Sequence, residues 1–515
     1  METWFIIIVS LCIIAIIKPF LFRHRKNLPP GPSFLTSTIL LLTHSLQELE
    51  PVLKTFKSKY GPLITLKVGS RCSIFVGTHA LAHQILIQNG AVFSDRPGIF
   101  LLRNINSATY GPTWRLLRRN LTSEMLHPVR VKLYSWSRKT VLHVLINRLR
   151  DHKEDVGIKV VDHFNYAMYS LLVLMCFGQK VDESRINEIA RTQHRLLLIA
   201  SSKLFNILTF SPKLGKLLFI TRWKELLQIR NDLEQTLIPL IESRIESIKS
   251  ESGNERFVAY VDTLVNLELP KKDGGNGNGR KLTLKEMVSM CGEFLNAGTD
   301  TTSTALQWIM ANLVKHPHIQ RKLYDEIVAV VGPPPAPPQN GVELESIINE
   351  EDLVKMPYLK AVVLEGLRRH PPGHFVLPHR VMKEVEVQGY TIPEGATINF
   401  MVGEMGLDPK VWDDPLEFKP ERFLVNDGGD CAFDITGNKG IKMMPFGAGR
   451  RICPGYDLAL LHLEYFVANL IWYFDWSVPN GYEVDLAEKV EFTVVMKNPL
   501  QARIVSRVEK TNHSS

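Results

Sequence analysis

The sequence predicts a mainly α chain with a smaller β-rich region. Three observations carry this. Apolar residues recur at helical spacing through residues 130–270 with few breakers, and again over 283–315 and 458–471. Short alternating segments at 63–68, 72–76 and 490–496 read as strands. The chain has 515 residues, 45% of them hydrophobic, and a net charge of +8. Length alone suggests roughly two to four domains. Six scattered cysteines (Cys12, Cys72, Cys176, Cys291, Cys431, Cys453) form no CxxC pair, so neither a zinc site nor a disulfide framework is expected, and a reducing compartment fits. Without an Arg-rich tail or aromatic-basic interleaving, no nucleic-acid partner is expected. The moderate basic balance suits a membrane surface or an acidic protein partner.

Residues 5–22 are mostly apolar, near the lower limit for crossing a bilayer, with Lys18 snorkelling to the interface. Glu2 and the lack of a small-x-small site argue against a cleaved signal peptide. Arg23, Arg25 and Lys26 follow directly and by the positive-inside rule stay cytosolic. Leu28-Pro29-Pro30-Gly31-Pro32 is a stiff, non-helical hinge. The expected division is an anchor with its basic flank at 1–27, a hinge at 28–32 and a cytosolic body at 33–515. Lys59-Tyr60-Gly61-Pro62 is a turn into a hairpin, 63–68 and 72–76, around Gly69-Ser70. Residues 80–89 read as helix. Phe93-Ser94-Asp95-Arg96-Pro97 is a loop whose apolar continuation to Leu102 is a pocket candidate.

A helix beginning near Gly111-Pro112 puts Trp114 and Arg118 on one face. Taken alone, such a pair is a packed Trp beside a solvated Arg. Arg115 and Arg119 point elsewhere, as solvation or as a docking face. Residues 271–280 are a flexible polar loop. Asn120-Leu-Thr and Asn512-His-Ser match the glycosylation pattern, which a cytosolic body leaves unused. The helix expected at 283–315 contains Asn296-Ala297-Gly298-Thr299-Asp300-Thr301-Thr302-Ser303. Gly298 costs about 1 kcal/mol relative to Ala, and the Thr run adds to this. The stretch therefore serves a close approach or a local distortion, by a ligand or by a tight helix crossing. Thr hydroxyls that bond back to carbonyls loosen the ladder. Residues 332–341 are a Pro-rich loop. Glu365 and Arg368, at i and i+3 on the next helix, are worth a few tenths of a kcal/mol if exposed. Val376-Leu377-Pro378-His379-Arg380 enters a strand.

Near the end stands Phe446-Gly447-Ala448-Gly449-Arg450-Arg451-Ile452-Cys453-Pro454-Gly455. Gly447 and Gly449 permit a sharp bend. Cys453 precedes the helix at 458–471, whose exposed N–H groups are expected to lower its thiol pKa. Arg451 offers a guanidinium to an anion beside the sulfur. Phe446 can lie against a planar ring. A thiolate, a flat apolar neighbour and a cation suit haem iron with its propionates.

This Phe-x-x-Gly-x-Arg-x-Cys-x-Gly string resembles the haem-thiolate loop of the cytochrome P-450 family, and the likeness extends from hinge to last strand pair. It implies a single large haem-binding domain, with 33–515 as the catalytic body. Heme b (iron protoporphyrin IX) would be ligated by Cys453. Trp114, Arg118, His379 and Arg451 would hold the propionates, with Arg380 an alternative to His379, and Phe446 would contact the ring. Asp300 and Thr301 match the acid and alcohol that relay protons to the oxygen being activated. Glu365, Arg368 and Arg422 match a buried network that locks the Cys453 loop. Leu407 stands where the family usually has Arg, which puts one local salt bridge in doubt. In the family the 490–496 turn dips into the substrate pocket, which makes Val494 and Val495 pocket candidates. Electrons would come from an NADPH-dependent microsomal reductase, with cytochrome b5 left open as a second donor. The motifs look most like plant A-type members of the endoplasmic-reticulum membrane, which implies plant secondary metabolism.

The expected activity is monooxygenation of a small lipophilic substrate. Two alternatives stand beside it: a reductase-independent haem-thiolate isomerase or dehydratase, against which the Asp300-Thr301 pair argues, and a non-catalytic haem-binding protein. Residues 97–110, 200–220, 290–300, 370–378 and 490–496 are expected to set the substrate.

Overall fold

The computed structural model describes residues 27–69, 71–97, 104–151, 157–201, 220–250, 257–270, 279–335, 347–424 and 433–507. The expected membrane span, the pocket lining at 98–102 and most of 200–220 lie outside the described residues, as do most of the 271–280 and 332–341 loops.

Seven helices frame the site: α1 (Pro112–Glu124), α2 (Val160–Phe177), α3 (Glu183–Ala200), α4 (Ile220–Ser250), α5 (Leu284–Lys315), α6 (Pro357–Arg369) and α7 (Tyr456–Tyr473). Helix α5 begins at a capping box. Glu286 N–H donates to Thr283 Oγ1 (3.3 Å) and Thr283 N–H to Glu286 Oε2 (3.0 Å). Its apolar residues run all round, and it is correspondingly enclosed, packing against α2, α4, α6 and α7. Trp308, Leu306, Ile309 and Leu313 are fully buried on it, each such side chain contributing about 1.5–3 kcal/mol. Gly298 is where α5 meets α2: a Cβ there would lie 2.7 Å from Leu172 Cδ1. The tight helix crossing thus accounts for this glycine. Among the described residues, α2 alone is long and apolar enough to cross a membrane, yet two-thirds of it is buried in the protein, with Phe164, Leu171, Met175 and Phe177 in the core.

The β-rich region comprises β1 (Leu63–Val68), β2 (Arg71–Val76), β3 (His379–Arg380) and β4 (Thr397–Phe400) in the order β1-β2-β4-β3. The expected hairpin is present, with Leu63 opposite Val76 and the turn at Gly69 (φ 58°), while β2 runs parallel to β4. This sheet has a core of its own around Ile74, Val76, Phe93, Ile398 and Phe400, which also takes in Leu86 and Ala448. Ala448 thereby ties the Cys453 loop to the sheet. Two expectations are corrected. Residues 80–89 are α-helical only over His79–His83 and widen into a π turn over Gln84–Gln88. Residues 490–496 are not one strand: β5 (Glu488–Val490) and β6 (Val494–Met496) pair antiparallel around a turn at 491–493.

Candidate functional site

The Cys453 loop is built by its glycines. Gly447 (φ 69°) and Gly449 (φ 71°) both take left-handed backbone, and a Cβ at 449 would run into the Leu86 carbonyl oxygen. Gly447 N–H donates to Met444 O (3.0 Å), and Cys453 N–H to Phe446 O (2.8 Å). The loop thus closes on itself just before α7, and Phe446 lies half-buried with its ring 6.2 Å from that of Tyr456. Cys453 is a free, half-buried thiol. The expected lowering of its pKa is corrected: burial pushes the thiol up, and the Gly455 N–H and Arg118 only oppose this.

Around the loop lies a cluster of cations. Arg118, from α1, donates through Nη2 to Ile452 O (2.7 Å). Arg451 lies over the Trp114 ring at 4.3 Å and donates to the carbonyls of Ser94 (2.7 Å), Ile105 (3.2 Å) and Ala108 (2.7 Å). Arg96, to which sequence reasoning gave no role, is also buried here. It donates to Asn106 O (3.1 Å), Leu377 O (2.6 Å) and Pro378 O (2.9 Å). Burial and the neighbouring Arg451 push its guanidinium down to about 9, still charged at neutral pH. Trp114 is buried, and its Nε1–H has no hydrogen-bond partner among the described residues. His379 is buried with Nδ1 at 2.6 Å from Phe93 O; burial, then Arg96, push it down to about 3. Arg380 instead reaches outward, with Nη1 3.7 Å from Asp95 Oδ2. Arg115 and Arg119 are exposed on α1, and Asn120 Nδ2 is engaged with Thr263 Oγ1 (2.9 Å).

On α5, Thr301 Oγ1 donates to Ala297 O (2.6 Å) and Ser303 Oγ to Thr299 O (2.9 Å), so two hydroxyls bond back along the middle of the helix. Ala297 is exposed in the middle of this helix, one turn before Thr301 on the same face. Asp300 takes another direction. Its Oδ2 accepts from Thr493 Oγ1 (2.8 Å) in the β5–β6 turn. Burial raises its carboxyl, which the Thr493 bond and His194 oppose. The turn therefore presents Thr493 rather than Val494, which is buried and whose carbonyl accepts from Trp308 Nε1 (2.8 Å). Nearer the cations, Glu293 accepts from Ile105 N–H (2.8 Å) and Asn106 N–H (2.7 Å), and burial pushes it up to about 7.

Glu365 and Arg368 on α6 are fully buried and bidentate: Nε to Oε2 at 2.7 Å and Nη2 to Oε1 at 2.8 Å. Arg368 also donates to the carbonyls of Gly406 (2.7 Å), Pro415 (2.9 Å) and Glu417 (3.2 Å). Arg422 Nε reaches Glu365 Oε1 at 3.3 Å, and its other nitrogens hold the carbonyls of Asp413 and Asp414.

The donor set fits haem. It has one thiol on a glycine-bent loop, three buried or half-buried guanidiniums, and a buried indole N–H lacking the acceptor that a propionate would supply. The comparisons agree with this chemistry. A family model described as Cytochrome P450 matches residues 29–504. The chain is similar to Cytochrome P450 89A9 of Arabidopsis thaliana, 48% identical over 98% of each chain. It is also similar to beta-amyrin 24-hydroxylase of Glycine max, 29% identical over 94% of this chain and 93% of that one. A zebrafish cytochrome P450 solved with progesterone shares the fold, with TM-score 0.70 and 24% identity over 89% of this chain and 99% of that one.

Proposed function

From the premise that this chain belongs to the cytochrome P450 family and is a haem-thiolate monooxygenase, we propose the residues that carry its chemistry and the partners that it uses. Cys453 would ligate the haem iron, and haem held this way would supply the activation of dioxygen. Trp114, Arg118, Arg451 and Arg96 hold the propionates, joined by His379 once the incoming anion favours protonation of its second nitrogen, Nδ1–H being spent on Phe93 O; His379 is chosen over Arg380 because Arg380 is turned to Asp95. Phe446 lies against the ring. Asp300 and Thr301 hold and pass the protons that oxygen reduction consumes. Glu365, Arg368 and Arg422 fix the segment 406–422 that backs the Cys453 loop. The single observation that carries the reading is the Cys453 thiol beside a buried set of guanidiniums, with the Trp114 N–H still wanting an acceptor.

Electrons come from a separate NADPH-dependent reductase, since no flavin or nicotinamide motif stands in the sequence. The substrate is a small lipophilic molecule, a reading supported by relatives named for acting on beta-amyrin and isoflavone. Residues 1–27 anchor the protein in the endoplasmic-reticulum membrane, 28–32 form the hinge and 33–515 the cytosolic catalytic domain, a division supported by the apolar run at 5–22 and its basic flank. The test is the carbon monoxide difference spectrum of the dithionite-reduced protein. The long-wavelength Soret band of thiolate-ligated haem is expected in wild type and absent in Cys453→Ala. A folded wild type that binds haem without that band sinks the ligand assignment. Loss of NADPH oxidation when microsomal reductase is omitted tests the electron source.

A further inference from the structure

A chain of ionisable groups, two buried histidines and two half-buried carboxyls, runs from the β-rich region to the β5–β6 hairpin. His374, in the segment between α6 and β3, pairs through Nδ1 with Glu50 and through Nε2 with Glu488 Oε2 (3.3 Å). Glu488 Oε1 in turn meets His370 Nδ1 at 3.3 Å. His370 stacks on Trp308 of α5, 4.0 Å between centroids and 3° from parallel. Glu488 is the first residue of β5, and from it the hairpin leads to a turn whose Thr493 is buried against α5. There Thr493 Oγ1 donates to Asp300 Oδ2 (2.8 Å) and lies 3.4 Å from Thr304 Oγ1, one helical turn further on. Val494 N–H donates to Pro372 O (2.9 Å), so both ends of the hairpin are tied to the 370–374 segment.

We propose that Thr493 is the positioning residue for the Asp300 carboxyl, and that the Glu50–His374–Glu488 ion chain holds the hairpin in the register that puts it there. This rests on the proton-delivery role proposed above for Asp300. The chemistry explains why the ions are tolerated. Burial disfavours a charged imidazole, yet two carboxylates flank His374 and hold it up to about 10, while burial keeps the outer His370 neutral at about 4. The chain is then carboxylate, imidazolium, carboxylate and neutral imidazole, and removing His374 leaves the two carboxylates that face it without their shared cation. At the far end the Thr493 hydroxyl stabilises the ionised carboxyl. Among the described residues, the other titratable groups around Asp300 are His194 on α3, which also favours ionisation, Glu491 in the same turn, which opposes it, and Tyr169 on α2.

The experiment is an infrared pH titration of the Asp300 carboxyl in the haem-loaded full chain, its band assigned by subtraction of Asp300→Asn. Thr493→Val is expected to move the midpoint to higher pH, and Thr493→Ser to restore it. An unchanged midpoint in Thr493→Val overturns the positioning role. His374→Gln is expected to reproduce the Thr493→Val shift and to speed amide exchange across 488–496. Wild-type midpoint and exchange in that variant overturn the ion chain's part, and Glu488→Gln repeats the test should His374→Gln fail to fold. A second readout needs no known substrate: the NADPH-to-oxygen ratio during reductase-supported turnover. Reduction of O2 to H2O2 consumes one NADPH and one proton, whereas reduction to two waters consumes two of each. Thr493→Val is expected to move the ratio toward one, and an unmoved ratio counts against the proposal. Complete absence of NADPH oxidation in wild type would sink the proposed electron source and leave the infrared result to decide on Thr493.

Discussion

Arg368→Ala removes one partner of an ion pair in which both side chains are fully buried. Breaking such a pair costs about 3–5 kcal/mol, because the remaining carboxylate stays buried and unpaired. Here Glu365 keeps Lys419 N–H (2.8 Å) and Arg422 (3.3 Å) on Oε1, which moves the expectation to the lower end. Against that, the carbonyls of Gly406, Pro415 and Glu417 all lose a donor. A loss of about 3–4 kcal/mol follows, a large share of the ~5–15 kcal/mol by which a folded protein is stable. Arg422→Ala removes a single long bond to Glu365 and two at carbonyls of the exposed Asp413 and Asp414, so about 1–2 kcal/mol is expected. The assay is the urea midpoint of each variant with haem absorbance followed in parallel, and the double variant Arg368→Ala/Glu365→Ala closes the cycle. The double loss should fall short of the sum by about 1–3 kcal/mol. Arg368→Ala with a wild-type midpoint, or with a smaller loss than Arg422→Ala, would refute the reasoning.

Gly449→Ala forces a side chain into left-handed backbone and against the Leu86 carbonyl; most of the long-wavelength carbon monoxide band should disappear, and a normal spectrum would show that the loop does not need this geometry. Trp114→Phe keeps a ring under Arg451 but removes the unpartnered donor, so haem should dissociate about tenfold faster, equivalent to roughly 1.4 kcal/mol, with the unfolding midpoint of the haem-free protein unchanged. Glu293 has its pKa raised by burial to about 7, so the native state holds a proton that the unfolded state releases nearer the ordinary carboxyl value. Its contribution is complete below that ordinary value and is lost as pH rises through about 7; Glu293→Gln should flatten this part of the stability–pH curve, and an unchanged slope would count against it.

The helical frame was legible because its signals are local. The box of Thr283 and Glu286 starts α5 where the pattern placed it, and Pro112 opens α1. The strand pair around Gly69 was legible for the same reason. The 490–496 segment misled because alternation continues across a three-residue turn, so periodicity alone hides the reversal. Arg96 was missed because nothing in Asp95-Arg96-Pro97 sets it apart from a solvated loop. It is buried against carbonyls at 106, ten residues on, and at 377 and 378, remote in sequence. The Cys453 thiol went the other way from expectation because a helix N-terminus can be read from sequence, whereas the desolvation that outweighs it is a property of the packed fold.

The charge balance around the Cys453 loop explains how one fold tolerates this site and still demands a ligand. Arg96, Arg118 and Arg451 gather there, while the nearby carboxyls are Asp95 and Glu293. Asp95 already accepts from Tyr110 N–H (2.8 Å) and faces Arg380. Glu293 already accepts two backbone N–H groups, and burial keeps it partly protonated near neutrality. Neither is free to neutralise three cations. Backbone carbonyls take up the guanidinium N–H groups one by one, which satisfies geometry but leaves net charge. A carbonyl dipole compensates a desolvated cation less completely than a carboxylate does. The missing anions are those that haem propionates would supply, and binding them returns as stability, since a ligand that binds only the folded state shifts the unfolding equilibrium toward it. Coupling of this kind predicts that raised salt, which screens repulsion among the cations, narrows the stability gap between haem-free and haem-loaded protein. A gap that stays constant from low to high ionic strength would place the coupling in the Cys453 bond alone.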